Sequence, residues 1–229
     1  MPNKKKEYID EFLIDKIICE LKELQYNGII NWFSLNEPLL DRRICDIIKK
    51  TKDQVPNSRP RLFTNGDPLT QSLLDNLFDN GLWELSISLH DEKASERIAK
   101  LDFSKKNVKT VKYYDRTEID LFNRAGLIPN LVHLKNTNFQ CNRPSLNMVI
   151  KYNGKLKLCA EDQLGMAFDD SLNVRFRTLE SLWNSDEMES YRKKLIFGRR
   201  NLKMCQDCNF LIRTEGDEGY CERAEIPLL

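Results

Sequence analysis

The sequence contains no apolar stretch long enough to span a bilayer, and its opening, Met1-Pro2-Asn3-Lys4-Lys5-Lys6, lacks the apolar core of a secretory signal. Net charge is nearly absent: 36 lysines and arginines meet 35 aspartates and glutamates, formally +1 at pH 7. Such balance leaves no global field to draw in nucleic acid or an acidic membrane, so neither is expected as a partner. Histidine is scarce. A two-histidine metal site or acid–base pair would need both His90 and His133. There are no internal repeats and no low-complexity segment. Seven cysteines, an odd number, exclude a fully paired disulfide framework. A cytoplasmic globular protein of one ordinary domain plus a small appendage is the expectation.

The first half alternates between two periodicities. Phe12, Leu13, Ile17, Leu21 and Leu24 recur at helical spacing. The run Ile29-Ile30-Asn31-Trp32-Phe33 follows the turn at Asn27-Gly28 and is too short and too β-branched for a helix, so it reads as a buried strand. Helices are then expected over residues 41–52, 70–78 and, more weakly, 92–100, with strands at 61–63, 82–89 and 108–111. Parallel neighbours need a crossover connection, usually a helix, so this order predicts a parallel sheet covered by helices. In barrel-like α/β folds the working groups come from the carboxyl ends of the strands. Here those ends read Ser34-Leu35-Asn36-Glu37-Pro38, Thr64-Asn65-Gly66 and Ser88-Leu89-His90-Asp91. Turn chemistry alone also accounts for such segments. Asn123-Arg124-Ala125-Gly126 is positioned as a substrate-facing loop.

The second half changes character near Asn136, which sets expected domains of 1–135 and 136–229. Residues 146–158 read as two short strands around Asn153-Gly154, a two-residue hairpin turn. Leu179, Leu182 and Trp183 share a helical face, Asp186 with Glu189 resembles a capping box for a second helix, and Gly198 is placed to close it. Cys19 and Cys45 sit among isoleucines and read as small buried apolar residues. Lys193-Lys194 and Arg199-Arg200 read as a solvated basic face.

The remaining cysteines form a constellation. Cys141 and Cys159 bracket the hairpin, and Cys205-Gln206-Asp207-Cys208 is a C-x2-C turn able to present two thiolates to one centre. Four thiolates suit an iron-sulfur cluster or tetrahedral zinc. A zinc ribbon usually supplies two C-x2-C pairs, whereas the first pair here is split across a hairpin, so zinc is the second choice. Cys221, in a polar glycine-containing tail, is left outside this set.

With these residues in view, the chain resembles the radical S-adenosylmethionine (SAM) superfamily with a carboxy-terminal SPASM or twitch domain. Asn36-Glu37-Pro38-Leu39-Leu40 is similar to the family's Gly-Gly-Glu-Pro-Leu segment, Thr64-Asn65-Gly66 to its Thr-Asn-Gly strand end, and Ser86-Ile87-Ser88 to the strand end beside the cofactor's ribose. The second half matches in Cys141-Asn142-Arg143-Pro144, in 149–159, in Ser181-Leu182-Trp183-Asn184-Ser185 and in Cys205 to Cys208. The resemblance implies a partial (β/α)6 TIM-like barrel without its first strand, then a small α+β cysteine-rich domain. It implies SAM held by Asn36, Glu37, Pro38, Thr64, Asn65, Gly66, Ser86 and Ser88, with Glu37 taking the amino group. It also implies an auxiliary [4Fe-4S] cluster on Cys141, Cys159, Cys205 and Cys208.

The family's C-x3-C-x2-C loop, whose thiolates hold the catalytic cluster, has no counterpart among these residues, and Leu35-Asn36 replaces Gly-Gly. The expectation is therefore a chain truncated before Met1 that does not itself cleave SAM. A parent enzyme of this kind abstracts hydrogen through a 5′-deoxyadenosyl radical from a peptide, protein or carbohydrate, with a flavodoxin or ferredoxin as electron donor. The alternatives are a non-catalytic cluster-binding or electron-transfer module and a zinc-stabilised binding protein.

Overall fold

A four-stranded parallel sheet in the order β1-β2-β3-β4 forms the frame of the first half. The computed structural model describes residues 8–112, 123, 125–128, 138–208, 210, 213–215 and 220–223. His133, Arg124, the expected boundary at 136 and the side chain of Cys221 lie outside the described residues. The chain divides into two compact units, residues 14–120 and residues 1–13 with 121–229. Among the described residues, no helix is long and apolar enough to cross a membrane.

Helix α1 (Glu11–Glu23) opens the described fold. It buries Leu13, Ile14, Ile17 and Ile18 and leaves Phe12 exposed. Cys19 was expected in the core and is exposed instead. One residue past Ile18 turns a helical side chain by about 100° off the buried stripe.

In the 14–120 unit, β1 (Ile29–Asn31), β2 (Arg59–Thr64), β3 (Glu84–Leu89) and β4 (Val108–Lys112) are all parallel. The crossovers are α2 (Ile44–Gln54), α3 (Gln71–Asp79) and α4 (Glu92–Ile98). Helix α2 begins three residues later than its periodicity predicts, because Pro38–Leu40 makes a separate 3-10 turn and Asp41 accepts the Arg43 amide at 3.0 Å. One sheet face packs Leu62, Leu85, Ile87 and Leu89 against Ile44, Ile48, Leu74, Leu77 and Ile98. Each such buried side chain contributes about 1.5–3 kcal/mol. The other face carries charge: Arg61 Nε donates to Asn31 Oδ1 at 3.0 Å, and Glu84 receives Lys109 Nζ at 2.7 Å and lies 3.8 Å from Arg61 Nη1.

The other unit is built from short elements. Helix α5 (Arg143–Leu146) leads into an antiparallel hairpin of β5 (Val149–Ile150) and β6 (Leu156–Lys157). The hairpin loop is longer than the two-residue turn its sequence predicts. Gly154 donates to the Lys151 carbonyl at 2.8 Å, and the Lys151 amide donates to the Lys155 carbonyl at 2.8 Å. Gly154 has φ +88° while Asn153 is not among the positive-φ residues, which excludes the type I′ turn and matches a turn closed by a glycine bulge. Helices α6 (Leu179–Trp183) and α7 (Asp186–Ile196) follow. Ser185, not Asp186, is the N-cap of α7: its hydroxyl accepts the Met188 amide at 3.3 Å. Asp186 already has a helical place, where its charge faces the positive end of the helix dipole. Gly198 sits just past the end of α7 at φ +118°, and β7 (Arg213–Glu215) pairs with β8 (Tyr220–Arg223).

Candidate functional site

Two groups of predicted residues gather in different units. In the 14–120 unit, the segment after β1 is tied to the end of β2 by one carboxylate. Glu37 Oε1 accepts the Leu39 amide at 3.0 Å and the Thr64 hydroxyl at 2.6 Å, while Oε2 accepts the Asn65 amide at 2.8 Å. The Thr64 hydroxyl in turn accepts the Gly66 amide at 2.9 Å. A carboxylate has about four lone-pair sites, so most of the acceptor capacity of Glu37 serves the fold. What this arrangement presents outward is the loop backbone beside the exposed Leu35 and Asn36. Asn36 turns its side chain back to accept the Ser34 amide at 3.1 Å. Ser86 is buried with its hydroxyl 3.3 Å from Glu84 Oε1, Ser88 is partly buried on the same strand face, and His90 is exposed just beyond β3.

In the other unit, Cys141, Cys159, Cys205 and Cys208 line one cavity, together with apolar residues such as Leu158, Leu195 and Met204 and the charged residues Arg143, Glu161, Asp162 and Arg199. Three separate segments supply them. The Cys141 amide donates to the Leu195 carbonyl at 3.1 Å, which fixes it to the end of α7; Cys159 follows β6; and Cys208 donates to the Cys205 carbonyl at 3.0 Å across a tight turn. No disulfide joins them.

Burial pushes the Cys159 thiol up to about 11 and the Cys205 thiol up to about 12, and it raises Cys208 as well. Cys159, Cys141 and Cys208 each raise Cys205 further, because a thiolate there would face their like charge on ionisation, so the four sulfurs are electrostatic neighbours. Neutral thiols in such a recess become strong ligands once a cation displaces their protons. Among the described residues, no three His, Cys, Asp or Glu side chains converge as a site for a single metal ion. A polynuclear cluster holds its ligands farther apart than one ion does, and four thiolates in one cavity fit an iron-sulfur cluster.

Two contributions were not legible in the sequence. Arg199, grouped there with a solvated basic face, is 3% exposed and lines the cysteine cavity, whereas Lys193, Lys194 and Arg200 are exposed. Asn123-Arg124-Ala125-Gly126 was positioned as substrate-facing. Instead, buried Asn123 donates through Nδ2 to the Asp207 carbonyl, Ala125 lines the cavity, and Gly126 packs on Asp207. These residues grip the C-x2-C turn. No local pattern announces such a long-range contact.

Comparison with known proteins agrees with this geometry. Residues 141–209 match the SPASM family, described as an iron-sulfur cluster-binding domain. The S-adenosyl-L-methionine-dependent 2-deoxy-scyllo-inosamine dehydrogenase of Niallia circulans is 27% identical over 218 residues, covering 93% of this chain and 85% of that protein. The crystal structure of BtrN in complex with AdoMet and 2-DOIA is similar at a TM-score of 0.80 and 26% identity, covering 97% of this chain and 88% of that one. A crystal structure of BtrN in an open conformation shares the fold, with a TM-score of 0.68, 24% identity, and coverage of 92% and 85%.

Proposed function

We propose that this chain is a radical SAM-type protein with a carboxy-terminal SPASM domain and that it serves the oxidation of a small hydroxylated ring, with an auxiliary [4Fe-4S] cluster on Cys141, Cys159, Cys205 and Cys208. The observation that carries the cluster assignment is the single cavity shared by all four thiols. The ring-oxidation assignment rests on the similar proteins: one is a dehydrogenase of 2-deoxy-scyllo-inosamine, and the other binds AdoMet and 2-DOIA.

Oxidising a secondary alcohol to a ketone removes a hydrogen atom, a proton and an electron. When bound to a catalytic cluster, SAM would supply the radical chemistry that takes the hydrogen atom, and an auxiliary cluster would be a suitable acceptor for the electron. In this reading the chain's own residues position. Glu37 holds the loop that presents its backbone to the SAM amino group, and Thr64, Asn65 and Gly66 complete that rim with Asn36 and Pro38. Ser86 and Ser88 line the neighbouring strand. The 229 residues contain no C-x3-C-x2-C segment, so SAM cleavage is not assigned to them alone.

Anaerobic reconstitution with iron and sulfide tests the reading. A brown protein with about four irons and four sulfides per chain is expected, as for other clusters held by four cysteine thiolates. SAM retained in equilibrium dialysis is the second expected result. A colourless protein that takes up one zinc and no sulfide overturns the cluster assignment.

A further inference from the structure

Arg199 opens the 3-10 turn Arg199–Asn201 between α7 and the C-x2-C turn. Its amide donates to the Phe139 carbonyl at 3.1 Å and its Nη1 donates to the Cys208 carbonyl at 2.9 Å. These two bonds fix the guanidinium against the cysteine turn. The residue is 3% exposed and lines the cavity of the four thiols. Its Nε is buried and meets no acceptor. A charged donor is costly to bury unmet, and guanidinium cannot shed its proton to escape that cost. Arg192 Nη2 also lacks a partner, but that residue does not line the cavity and stacks its guanidinium 4.0 Å over the Trp183 ring.

We propose that Arg199 completes the iron-sulfur site by directing its Nε–H to a sulfur of the bound cluster, and that it thereby raises the cluster's reduction potential. The inference rests on the cluster assignment above. Hydrogen bonds to sulfur and nearby positive charge both favour the reduced cluster, which carries one more negative charge. Because Nη1 is held by the Cys208 carbonyl, the side chain cannot turn away when the turn carrying Cys205 and Cys208 closes on a cluster. An electron acceptor is tuned at the point where its ligand loop is anchored.

The test uses the whole chain, reconstituted anaerobically as wild type, Arg199→Met, Arg199→Lys and Arg200→Gln. Iron and sulfide are counted first. Wild type without a cluster sinks the earlier assignment, and this inference with it. With clusters in place, redox titration followed by electron paramagnetic resonance reads the reduced fraction. Arg199→Met is expected to lower the reduced-to-oxidised ratio at fixed potential at least tenfold, which for one electron is about 59 mV. Arg200→Gln should leave it within twofold. A ratio in Arg199→Met within twofold of wild type overturns the proposal while leaving the cluster assignment intact.

Should Arg199→Met fail to load iron, Arg199→Lys keeps the charge but cannot place a donor where Nε lies. Resonance Raman spectra in H2O and D2O then decide. Loss in Arg199→Lys of the deuterium shift of the Fe–S stretching bands supports the proposal. An unchanged shift in that variant, or none in wild type, overturns it.

Discussion

The Thr64 hydroxyl donates to the Glu37 carboxylate at 2.6 Å, joining the segment after the first strand to the end of the second. With the Asn65 amide on the other oxygen, the bond makes these two strand ends one rigid rim. A charged hydrogen bond contributes about 1.5–3 kcal/mol. Thr64→Val and Glu37→Gln should each destabilise the protein, by roughly 1–2 kcal/mol in urea denaturation, and weaken SAM retention. In a double-mutant cycle their effects should fall short of additivity by at least about 0.5 kcal/mol. Full additivity would show that the bond does not hold the rim.

Each of Cys141→Ala, Cys159→Ala, Cys205→Ala and Cys208→Ala should lose most of its iron and its brown colour after identical reconstitution. Cys19→Ala and Cys45→Ala should keep wild-type iron content, because Cys19 is on the surface and Cys45 belongs to the core of the other unit. Undiminished iron in any of the first four variants removes that residue from the ligand set.

Removing the metal should make stability fall with alkaline pH. Folding raises the Cys159 thiol to about 11 and the Cys205 thiol to about 12, from an ordinary value of 9.0, so the native apoprotein holds these protons more tightly than the unfolded chain does. Their contribution is complete below about pH 9 and lost as pH rises through 11 to 12. The apoprotein should lose several kcal/mol over that window, at about 1.4 kcal/mol for each unit by which folding raises a thiol, beyond what Cys159→Ala/Cys205→Ala apoprotein loses. The reconstituted protein should not, since iron already holds those sulfurs as thiolates.

Gly198→Ala should cost about 2 kcal/mol or more, read from the denaturation midpoint. At φ +118° a side chain is strained, and a Cβ there would collide with the side-chain amide of Asn138. Asn138 cannot yield without loss, because its Oδ1 accepts the Arg200 amide at 2.9 Å.

Cap identity gives a smaller, cleaner contrast. Ser185→Ala should cost about 1 kcal/mol because it strips the Met188 amide of its acceptor. Asp186→Ala removes only a dipole interaction and should cost about 0.5 kcal/mol or less. Equal losses would return the cap to Asp186.

These contrasts mark where sequence reasoning reaches its limit. Parallel alternation, the hairpin and α6 were legible because hydrophobic period and turn residues act over a few positions. So was the meeting of Cys141, Cys159, Cys205 and Cys208 in one cavity, because cysteines clustered late in a chain and bracketing a hairpin point to a common place. Three misreadings share one cause. Cys19 misses the buried stripe by a single helical step, the α7 cap lies one residue before the acidic signal, and Arg199 looks like its exposed neighbour Arg200. In each case neighbouring residues share a composition, and only the direction of one side chain separates them. The grip of Asn123 on Asp207 is beyond local pattern altogether, because it joins positions 84 residues apart.

The supply of thiols from three separate segments has a mechanical meaning as well. An inorganic core bonded to 141, 159, 205 and 208, as proposed above, would be a cross-link, closing loops in a region made, apart from α7, of very short helices and two-residue strands. Such closure removes freedom from the unfolded chain much as a disulfide does. Oxidative destruction of such a core would open a fastener, and protease should then cut the stretch between 160 and 205 sooner than in the loaded protein.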